Sequence, residues 1–372
     1  MANKILFIWY KRSKGILEGG GQCSRRNYEM LCDVVGADKV DSCYIHDEYR
    51  RKTLWEYIAG AFWFLFSYYY GLSPRRVKAI VQRAQQYDCV FIDRSVFGII
   101  AERLKASGYK GLIITHFHNV EYLYFQAKLS HYLPFRSLII RTADTNDRYA
   151  CRYSDKIMTL NARDAQLLQQ RYGRKADAIV PIALQDKIAQ QSVDRQALTR
   201  KEPLCLFLGS YFPPNNEGIL WFVENVLPHV NIRMQIVGKG MAKLKEEAPQ
   251  LKDIEVISDA PDLQPYLEAA DIMVLPIFSG SGMKVKTCES LMYGKNIIGT
   301  NEAFEGYDGD YTQIGGRCNT AEEFIECLHG FAQSPRPRFN TYSRQLFLDK
   351  YSFDAVQGLF YGLLDKTLAE DA

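Results

Sequence analysis

The sequence predicts an α/β protein built from two doubly wound domains, and three observations lead to this prediction. Short apolar runs typical of buried strands alternate with helical patterns along most of the chain. The runs form two series, and a polar stretch without strand-like runs, residues 185–203, separates them. The 372 residues suffice for two hydrophobic cores. Each domain is therefore expected to contain a parallel sheet covered by helices on both faces.

The individual elements follow from the apolar runs in chain order. The first series of predicted strands comprises Ile5–Trp9, Cys89–Ile92, Gly111–Thr115, Lys156–Leu160 and Ala178–Val180. The second series comprises Leu204–Leu208, Met234–Val237, Ile254–Val256, Ile272–Leu275 and Asn296–Gly299. Helices are predicted between the strands, among them Asn27–Val35, Pro74–Gln86, Asp164–Arg171, Gly218–Val226 and Lys284–Tyr293, and an apolar-periodic helix follows at Ser352–Leu368. The predicted domains span 1–190 and 200–350, and 352–372 forms a terminal helix.

Composition and charge narrow the class of protein. Hydrophobic residues make up 47% and charged residues 24%, which excludes disordered, collagen-like and disulfide-framework chains. Residues 1–200 carry a net charge of +12, whereas the remainder carries −9. A basic first half favours an anionic partner, such as a membrane surface, a phosphorylated ligand or nucleic acid. A chance imbalance spread over solvated surfaces is the alternative.

Cysteine usage and the first residues indicate the compartment. The nine cysteines are odd in number and widely spaced, with no C-x-x-C pair. This pattern predicts packed thiols in a reducing compartment, without disulfides or a zinc site. The first apolar run, ILFIWY, is shorter than the core of a secretory signal. We therefore expect a cytoplasmic protein that holds no metal.

One unusually aromatic segment, residues 54–72, leaves three interpretations open. Its continuous apolar part, Ile58–Tyr70, is shorter than the ~20 residues of a membrane-spanning helix. Basic residues flank it on both sides, an arrangement typical of helices that lie in the headgroup region of a membrane. A buried helix under a sheet is the second interpretation, and a true span is the third.

The strongest chemical signal lies in residues 271–306, which combine a buried strand, a glycine-rich loop and a helix. The loop Ser279–Gly282 precedes the predicted helix, whose N-terminus offers free N–H groups and a partial positive charge to a phosphate. Lys284 and Lys286 oppose the helix dipole there unless a diphosphate neutralises them. Glu289 shares a face with Lys286 and could accept both ribose hydroxyls of a nucleotide. An ordinary surface Lys-x-x-Glu pair is the alternative.

This segment resembles the nucleotide-sugar-binding segment of GT-B-fold glycosyltransferases, particularly glycosyltransferase family 4, the group 1 glycosyltransferases. The matching residues are Pro276, Gly280–Gly282, Lys286, Glu289, Gly294–Ile298, Thr300, Glu305 and Gly306. Many members carry a second glutamate eight residues before the one that matches Glu289. This chain has Ser281 there, as does a subset of the family whose loop reads Gly-Ser-Gly-Met.

The resemblance covers roughly residues 204–306 and implies a donor site for a nucleoside-diphosphate sugar. The residues implied to bind the donor are Gly20, Gly21, Gly209, Ser210, Gly238, Asp262, Leu263, Ser281, Gly282, Met283 and Glu289. Many members have basic residues in the loop after the strand that matches Leu204–Leu208, but this chain has none until Arg233. Lys284 and Lys286 are therefore expected to stabilise the leaving diphosphate. The family also has a C-terminal helix that crosses back to the first domain.

The N-terminal half matches the family more loosely and is expected to bind the acceptor. Glycines 19–21 follow the first strand, where a loop without side chains would let a ligand approach closely. Arg25 and Arg26 could reach a phosphate, or they are solvated cations. His118 and Glu121 follow a predicted strand and could contact the sugar or acceptor, with His118 as a catalytic residue. A packed histidine is the alternative, and the strand-end pair Asp93 and Arg94 ranks second.

Together these features predict a glycosyltransferase, of hexosyltransferase type, that moves a sugar from a UDP-sugar to a glycan or lipid-linked acceptor in bacterial polysaccharide biosynthesis. The resemblance implies a retaining transfer without a metal or other cofactor, and no Asp-x-Asp motif lies between apolar strands. Neither nucleic acid nor a spanning helix is expected. The inner face of the cell membrane is the alternative to a purely cytoplasmic location. The competing functions are a GT-B nucleotide-sugar epimerase and a catalytically reduced nucleotide-sugar-binding partner in a membrane complex.

Overall fold

The computed structural model describes residues 4–12, 19–47, 53, 60, 62–129, 133–188 and 198–368. It divides into two compact units. Unit 1 comprises Met1–Pro181 together with Val356–Ala372, and unit 2 comprises Ile182–Ala355.

Unit 1 contains a six-stranded parallel sheet with the strand order β2-β1-β3-β4-β5-β6. Its strands are β1 Ile5–Arg12, β2 Val40–Asp47, β3 Cys89–Ile92, β4 Leu112–Phe117, β5 Lys156–Thr159 and β6 Ala178–Ile179. Its helices are α1 Gly19–Val35, α2 Pro74–Ala84, α3 Gly98–Ala106, α4 Glu121–Lys128, α5 Arg136–Tyr153 and α6 Ala162–Tyr172. The terminal helix joins this unit from Val356 onward, and Phe360 stacks on Phe91 of β3.

Unit 2 repeats the plan with a second six-stranded parallel sheet, in the order β12-β11-β10-β7-β8-β9. Its strands are β7 Leu204–Leu208, β8 Arg233–Gly238, β9 Glu255–Ser258, β10 Ile272–Leu275, β11 Asn296–Gly299 and β12 Gly315–Arg317. Its helices are α7 Pro213–Asn225, α8 Met241–Glu247, α9 Gln264–Ala269, α10 Val285–Met292, α11 Tyr311–Ile314, α12 Ala321–Gln333 and α13 Thr341–Leu346, and α14 Phe353–Leu368 runs from this unit into unit 1.

The predicted α/β class is confirmed, because the central strands have the composition that burial on both faces requires. Every residue of β3, β7, β10 and β11 is buried. Parallel strands with helices on both faces read as continuous apolar runs, which is how they could be located in the sequence. The predicted second-series strands therefore agree with β7 to β11 to within two residues.

Two strands were missed, and both lie at an edge of their sheet. Strand β2 mixes polar and apolar residues without a regular pattern, and β12 consists of Gly-Gly-Arg, so neither forms a long apolar run. The expected loop at glycines 19–21 is also wrong, because these residues form the first turn of α1. The helix therefore begins eight residues before the predicted Asn27.

The aromatic segment is only partly described, since 54–59 and 61 lie outside the described residues. Tyr68 and Leu72 pack into the core of unit 1. Phe62, Leu65 and Phe66 are each more than half exposed. In the described part of the chain, no helix combines the length and apolar character needed to cross a membrane. All nine cysteines are free thiols, as expected.

Candidate functional site

The chain order of unit 2 creates a switch point between β7 and β10. From β7 the chain proceeds through β8 and β9 in one direction, and from β10 it proceeds through β11 and β12 in the other. In open parallel sheets, ligands bind in the crevice at the carboxyl ends of the strands on either side of such a point. The two loops that leave β7 and β10 here lead into α7 and α10.

The loop after β10 has a backbone conformation with positive φ angles, which glycine adopts readily. Gly280 has φ 154° and Gly282 has φ 63°, both in the region that other residues rarely adopt. Helix α10 then begins at Val285, with Lys284 extended at the N-cap and making no side-chain cap. The first N–H groups of a helix have no partner within the helix, so this N-terminus can receive an anion.

Lys284 has a different surrounding from the one that the sequence suggested. Its Nζ lies 2.7 Å from Glu302 Oε1 and donates to the carbonyl of Gly282 at 2.9 Å. Both charged side chains are largely buried. The expectation that a diphosphate must neutralise this lysine is therefore wrong, because Glu302 already balances its charge. Lys284 holds the glycine loop in place.

Lys286 occupies the switch point itself. Its Nζ donates to Asn215 Oδ1 at 2.8 Å and lies 4.6 Å from the ring centre of Phe207, the neighbour of the last residue of β7. Burial and the nearby charge of Lys284 lower its pKa to about 7, against an opposing effect of Glu289. The side chain thus reaches from α10 to the first turn of α7, and it gains charge readily when an anion arrives.

Asn215 is the residue that sequence reasoning missed at this site. Its Nδ2 donates to the carbonyl of Ser210 at 2.9 Å, while its Oδ1 accepts from Lys286. A Cβ on Gly238 would lie 1.9 Å from the carbonyl oxygen of Gly209, so the loops after β7 and β8 are in backbone contact. The structure therefore brings the predicted residues Gly209, Ser210 and Lys286 together around Asn215. The Pro-Asn-Asn run at a helix start is the signal that could have identified it.

Glu289 and Asp262 approach a common neighbour, Tyr293, at the end of α10. Burial raises the pKa of Tyr293 to about 12, assisted by the charges of Glu268, Asp262 and Glu289. Asp262 also accepts from the backbone N–H of Gln264 at 3.0 Å and so caps α9. Leu263 occupies the N-cap position of the same helix.

Two further residues of the loop after β10, Ser281 and Met283, differ in how exposed they are. Ser281 is half-buried, whereas Met283 is buried and its sulfur accepts from the N–H of Ile182 at 3.4 Å. Met283 therefore packs inside unit 2, which disagrees with its prediction as a direct donor contact.

Unit 1 contains two residues predicted to bind the donor, Gly20 and Gly21, and two predicted to bind the acceptor, Arg25 and Arg26. Gly20 makes room for Arg94, since a Cβ there would lie 2.3 Å from Arg94 Nη2. Arg25 is exposed on α1, as is Gly21 in part. Arg26 is buried, and its Nη1 donates to the carbonyl of Pro181 at 2.8 Å. Its predicted contact with an acceptor phosphate is therefore replaced by a structural contact.

His118 lies in a buried polar cluster at the carboxyl ends of β3 and β4. Its Nε2 is 3.3 Å from Asp93 Oδ1, which also accepts from Asn27 Nδ2 at 2.8 Å. Burial lowers the pKa of His118, so the imidazole is neutral at pH 7. Burial favours the neutral acid at Asp93, but the two neighbouring histidines hold its pKa well below the usual range. Glu121 is buried in the first turn of α4, 3.9 Å from Arg94.

Known proteins resemble this chain in sequence and in structure, and the sequence matches cover only part of it. The sequence model of a family described as glycosyl transferases group 1 matches residues 202–329. An uncharacterized 44.6 kDa protein from the cps region of Klebsiella pneumoniae is 29% identical over 115 residues. That match covers 27% of this chain and only 30% of the length of that relative.

Solved structures resemble the chain over nearly its whole length. HepE from Anabaena in complex with UDP has a TM-score of 0.66 at 14% identity, covering 98% of this chain and 100% of that one. A lipopolysaccharide outer core galactosyltransferase, WaaB, has a TM-score of 0.63 at 12% identity, with coverage of 98% and 99%. The catalytic domain of Arabidopsis thaliana starch synthase IV has a TM-score of 0.63 at 10% identity, with coverage of 99% and 100%.

These comparisons confirm the resemblance that the motif in residues 271–306 suggested. The chain has the GT-B fold over its whole length, and in its second unit it matches the group 1 glycosyltransferases by sequence.

Proposed function

We propose that this protein transfers a hexosyl group from a UDP-sugar to a glycan or lipid-linked acceptor. The observation that carries the proposal is Lys286, a cation held at the switch point of unit 2 by Asn215 and followed one turn later by Glu289. Anabaena HepE, which shares the fold, has been solved with UDP and with UDP-glucose. Both complexes support a uridine nucleotide as the donor.

The donor chemistry follows from charge. In the transition state, negative charge grows on the leaving diphosphate, and preorganised donors that face it lower the barrier. Lys286 and the first N–H groups of α10 would supply these donors, and Glu289 would accept the ribose hydroxyls. Because the positive charge comes from the chain, we propose a transfer that needs no metal on the diphosphate. The family resemblance favours retention of configuration.

The acceptor side involves residues of unit 1. His118 is neutral, and Asp93 fixes its ring by accepting from Nε2. We propose that His118 and Glu121 contact sugar or acceptor hydroxyls and that Arg25 attracts an acceptor phosphate. A role in bacterial polysaccharide biosynthesis is supported by the relative in the Klebsiella cps region.

A thermal-shift series with UDP, GDP, dTDP, CDP and ADP tests the donor site. A ligand that binds only the folded state adds about 2.7 kcal/mol of stability at a hundredfold excess over Kd. We expect UDP to raise the Tm of the wild type, with or without EDTA, and to leave Glu289→Ala unshifted. Glu246→Ala is the matched control, because Glu246 is exposed on α8, and it should shift like the wild type.

The outcomes separate the candidate functions. If none of the five nucleotides raises the Tm of the wild type, the proposed donor site is refuted. Interconversion of the nucleotide sugar without acceptor would favour the epimerase. Tight UDP binding with neither transfer nor hydrolysis would favour a binding partner in a membrane complex.

We also propose peripheral association with the inner face of the cell membrane. Phe62, Leu65 and Phe66 form an exposed apolar group, and exposed Arg75 and Lys78 lie on the helix that follows. Aromatic residues with nearby cations favour the interface of an anionic bilayer.

Flotation with vesicles containing anionic lipid tests this association. The wild type should float, and the triple variant Phe62→Ser, Leu65→Ser, Phe66→Ser should stay at the bottom of the gradient. Leu198→Ser removes an exposed leucine of unit 2 and should float like the wild type. The proposal is contradicted if the wild type neither floats with anionic vesicles nor binds lipid-linked acceptors.

A further inference from the structure

Three side chains in the polar cluster of unit 1 are arranged as metal ligands. The sulfur of Cys23 and one ring nitrogen each of His116 and His118 all lie within 4.8 Å of one another. All three residues are buried. They come from the second turn of α1, from β4 and from the loop that leaves β4, so their proximity is a product of the fold.

The distances are close to those of a metal site. With Zn–S bonds of about 2.3 Å and Zn–N bonds of about 2.0–2.1 Å, the ligand atoms around a tetrahedral zinc ion lie about 3.3–3.6 Å apart. Because the three ligand atoms lie within 4.8 Å of one another, small changes in side-chain torsion angles would bring them to these distances. Two imidazoles and one thiolate form a donor set that suits Zn²⁺.

A buried nitrogen in the cluster independently indicates a missing ligand. His116 is fully buried, and its Nε2 has no hydrogen-bond partner among the residues that the structure describes. Its other nitrogen, Nδ1, lies 2.7 Å from Asn27 Nδ2. A buried polar atom without a partner destabilises a fold by about 1–3 kcal/mol, so such atoms are rare. Because Asn27 Nδ2 can only donate, Nδ1 accepts from it and Nε2 carries the ring proton. Zinc binding at Nε2 requires the other tautomer, in which the proton moves to Nδ1, 3.8 Å from Asp93 Oδ1.

The surrounding charges are compatible with a cation. Asp93 Oδ1 lies 3.3 Å from His118 Nε2 and 3.8 Å from His116 Nδ1. Carboxylates in this position orient metal-bound histidines.

Two cationic side chains, Arg26 and Arg94, oppose a metal cation, and Glu121, 3.9 Å from Arg94, offsets the charge of the second. Arg26 Nη2 lies 3.4 Å from the sulfur of Cys23. The negative charges of Asp93 and of the Cys23 thiolate together offset Arg26 and one charge of the ion.

We propose that Cys23, His116 and His118 bind one Zn²⁺ ion and that a water molecule completes its coordination. Binding replaces the thiol proton of Cys23 with zinc, so one proton is released to solvent and no electron is transferred. The site is separate from the diphosphate site of unit 2. It also involves His118, so zinc would inhibit sugar transfer, a consequence that rests on the proposed function.

Competition with a chromogenic chelator tests the site on the full chain after dialysis against EDTA. We expect one equivalent of Zn²⁺ to bind the wild type and Cys23→Ser to bind at least tenfold more weakly. Co²⁺ should give a thiolate-to-cobalt charge-transfer absorption in the wild type that is lost in Cys23→Ser. Cys32→Ser is the matched control, because Cys32 is a half-buried thiol on the same helix, and it should retain both signals.

A second variant protects the test against misfolding. His116→Gln keeps a polar side chain at a buried position, and it should lose zinc while its far-UV circular dichroism stays that of the wild type. Stoichiometric zinc binding by Cys23→Ser with wild-type affinity would overturn the proposal, as would the absence of binding in the wild type. Neither result bears on UDP binding, so the two proposals fail separately.

Discussion

Lys286→Met is expected to lower kcat/KM for sugar transfer by a factor of about 10²–10³, the usual cost of removing one preorganised donor from an oxyanion-type site. Methionine keeps the length of the side chain but removes the charge that Asn215 aims at the switch point. Because the lost interaction strengthens as the diphosphate leaves, most of the effect should be in kcat. Steady-state kinetics with saturating acceptor measures it.

The control for this variant is Lys252→Met, which removes an exposed lysine of the same unit. It should retain wild-type kinetics. Transfer by Lys286→Met at more than a tenth of the wild-type rate would show that the diphosphate is stabilised elsewhere.

The pH dependence of UDP binding gives a second measure of the same lysine. The free protein holds Lys286 with a pKa of about 7, and a bound diphosphate favours the protonated form. Binding above pH 7 must therefore take up a proton, and the affinity should fall by up to about tenfold per pH unit above that value. Calorimetry in buffers of different ionisation enthalpy counts this proton. Lys286→Arg stays charged and should bind with a flat profile across the same range.

The titration of Lys286 affects the stability of the fold in the opposite direction from its effect on UDP affinity. The unfolded chain holds the Lys286 proton up to its ordinary pKa of 10.5, whereas the folded chain releases it near 7. Between these values the unfolded state binds more protons, so the contribution of this residue to stability rises with pH.

The second large effect is expected for stability, at Asp271→Ala. This carboxylate is completely buried just before β10, 2.5 Å from Arg200 Nη1 and 2.7 Å from Arg338 Nε. It also accepts from the N–H of Leu204 at 2.8 Å and so fixes the start of β7. Removing one partner of a buried ion pair costs about 3–5 kcal/mol. We expect the lower end, about 3 kcal/mol, because both arginines are partly exposed.

Chemical unfolding followed by tryptophan fluorescence measures this loss, since Trp221 reports on unit 2. Asp253→Ala is the control, because Asp253 is exposed in the same unit. Its free energy of unfolding should differ from that of the wild type by less than about 0.5 kcal/mol. A wild-type midpoint for Asp271→Ala would mean that the ion pairs contribute nothing net.

The sequence alone was sufficient for the fold class and the donor segment. Strands such as Leu204–Leu208 and Ile272–Leu275 are buried on both faces, so their residues are apolar throughout and their ends are visible. The order of strand, glycine loop, Lys-x-x-Glu helix and second strand then indicated the site, because each part is local in sequence. The edge strands β2 and β12 could not be located in this way. Each pairs with one neighbouring strand only, so its residues need not form a continuous apolar run.

The roles of individual charges could not be read in the same way, because they depend on partners far along the chain. Sequence reasoning treated Lys284 and Lys286 as equivalent. The structure pairs Lys284 with the carboxylate of Glu302, whereas Lys286 hydrogen-bonds to a neutral amide, Asn215. Arg26 was expected at an acceptor, but it binds Pro181 more than 150 positions away.

What the sequence by itself determined was therefore the pattern of burial and the local segment that we propose as the donor site. What only the tertiary structure decided was which side chains meet. Cys23, His116 and His118 lie in three separate segments with no metal-binding spacing, so nothing in the sequence relates the cysteine to the histidines. Their proximity arises because α1 packs beside the carboxyl end of β4 in a parallel sheet, where residues distant in the chain converge on the same edge.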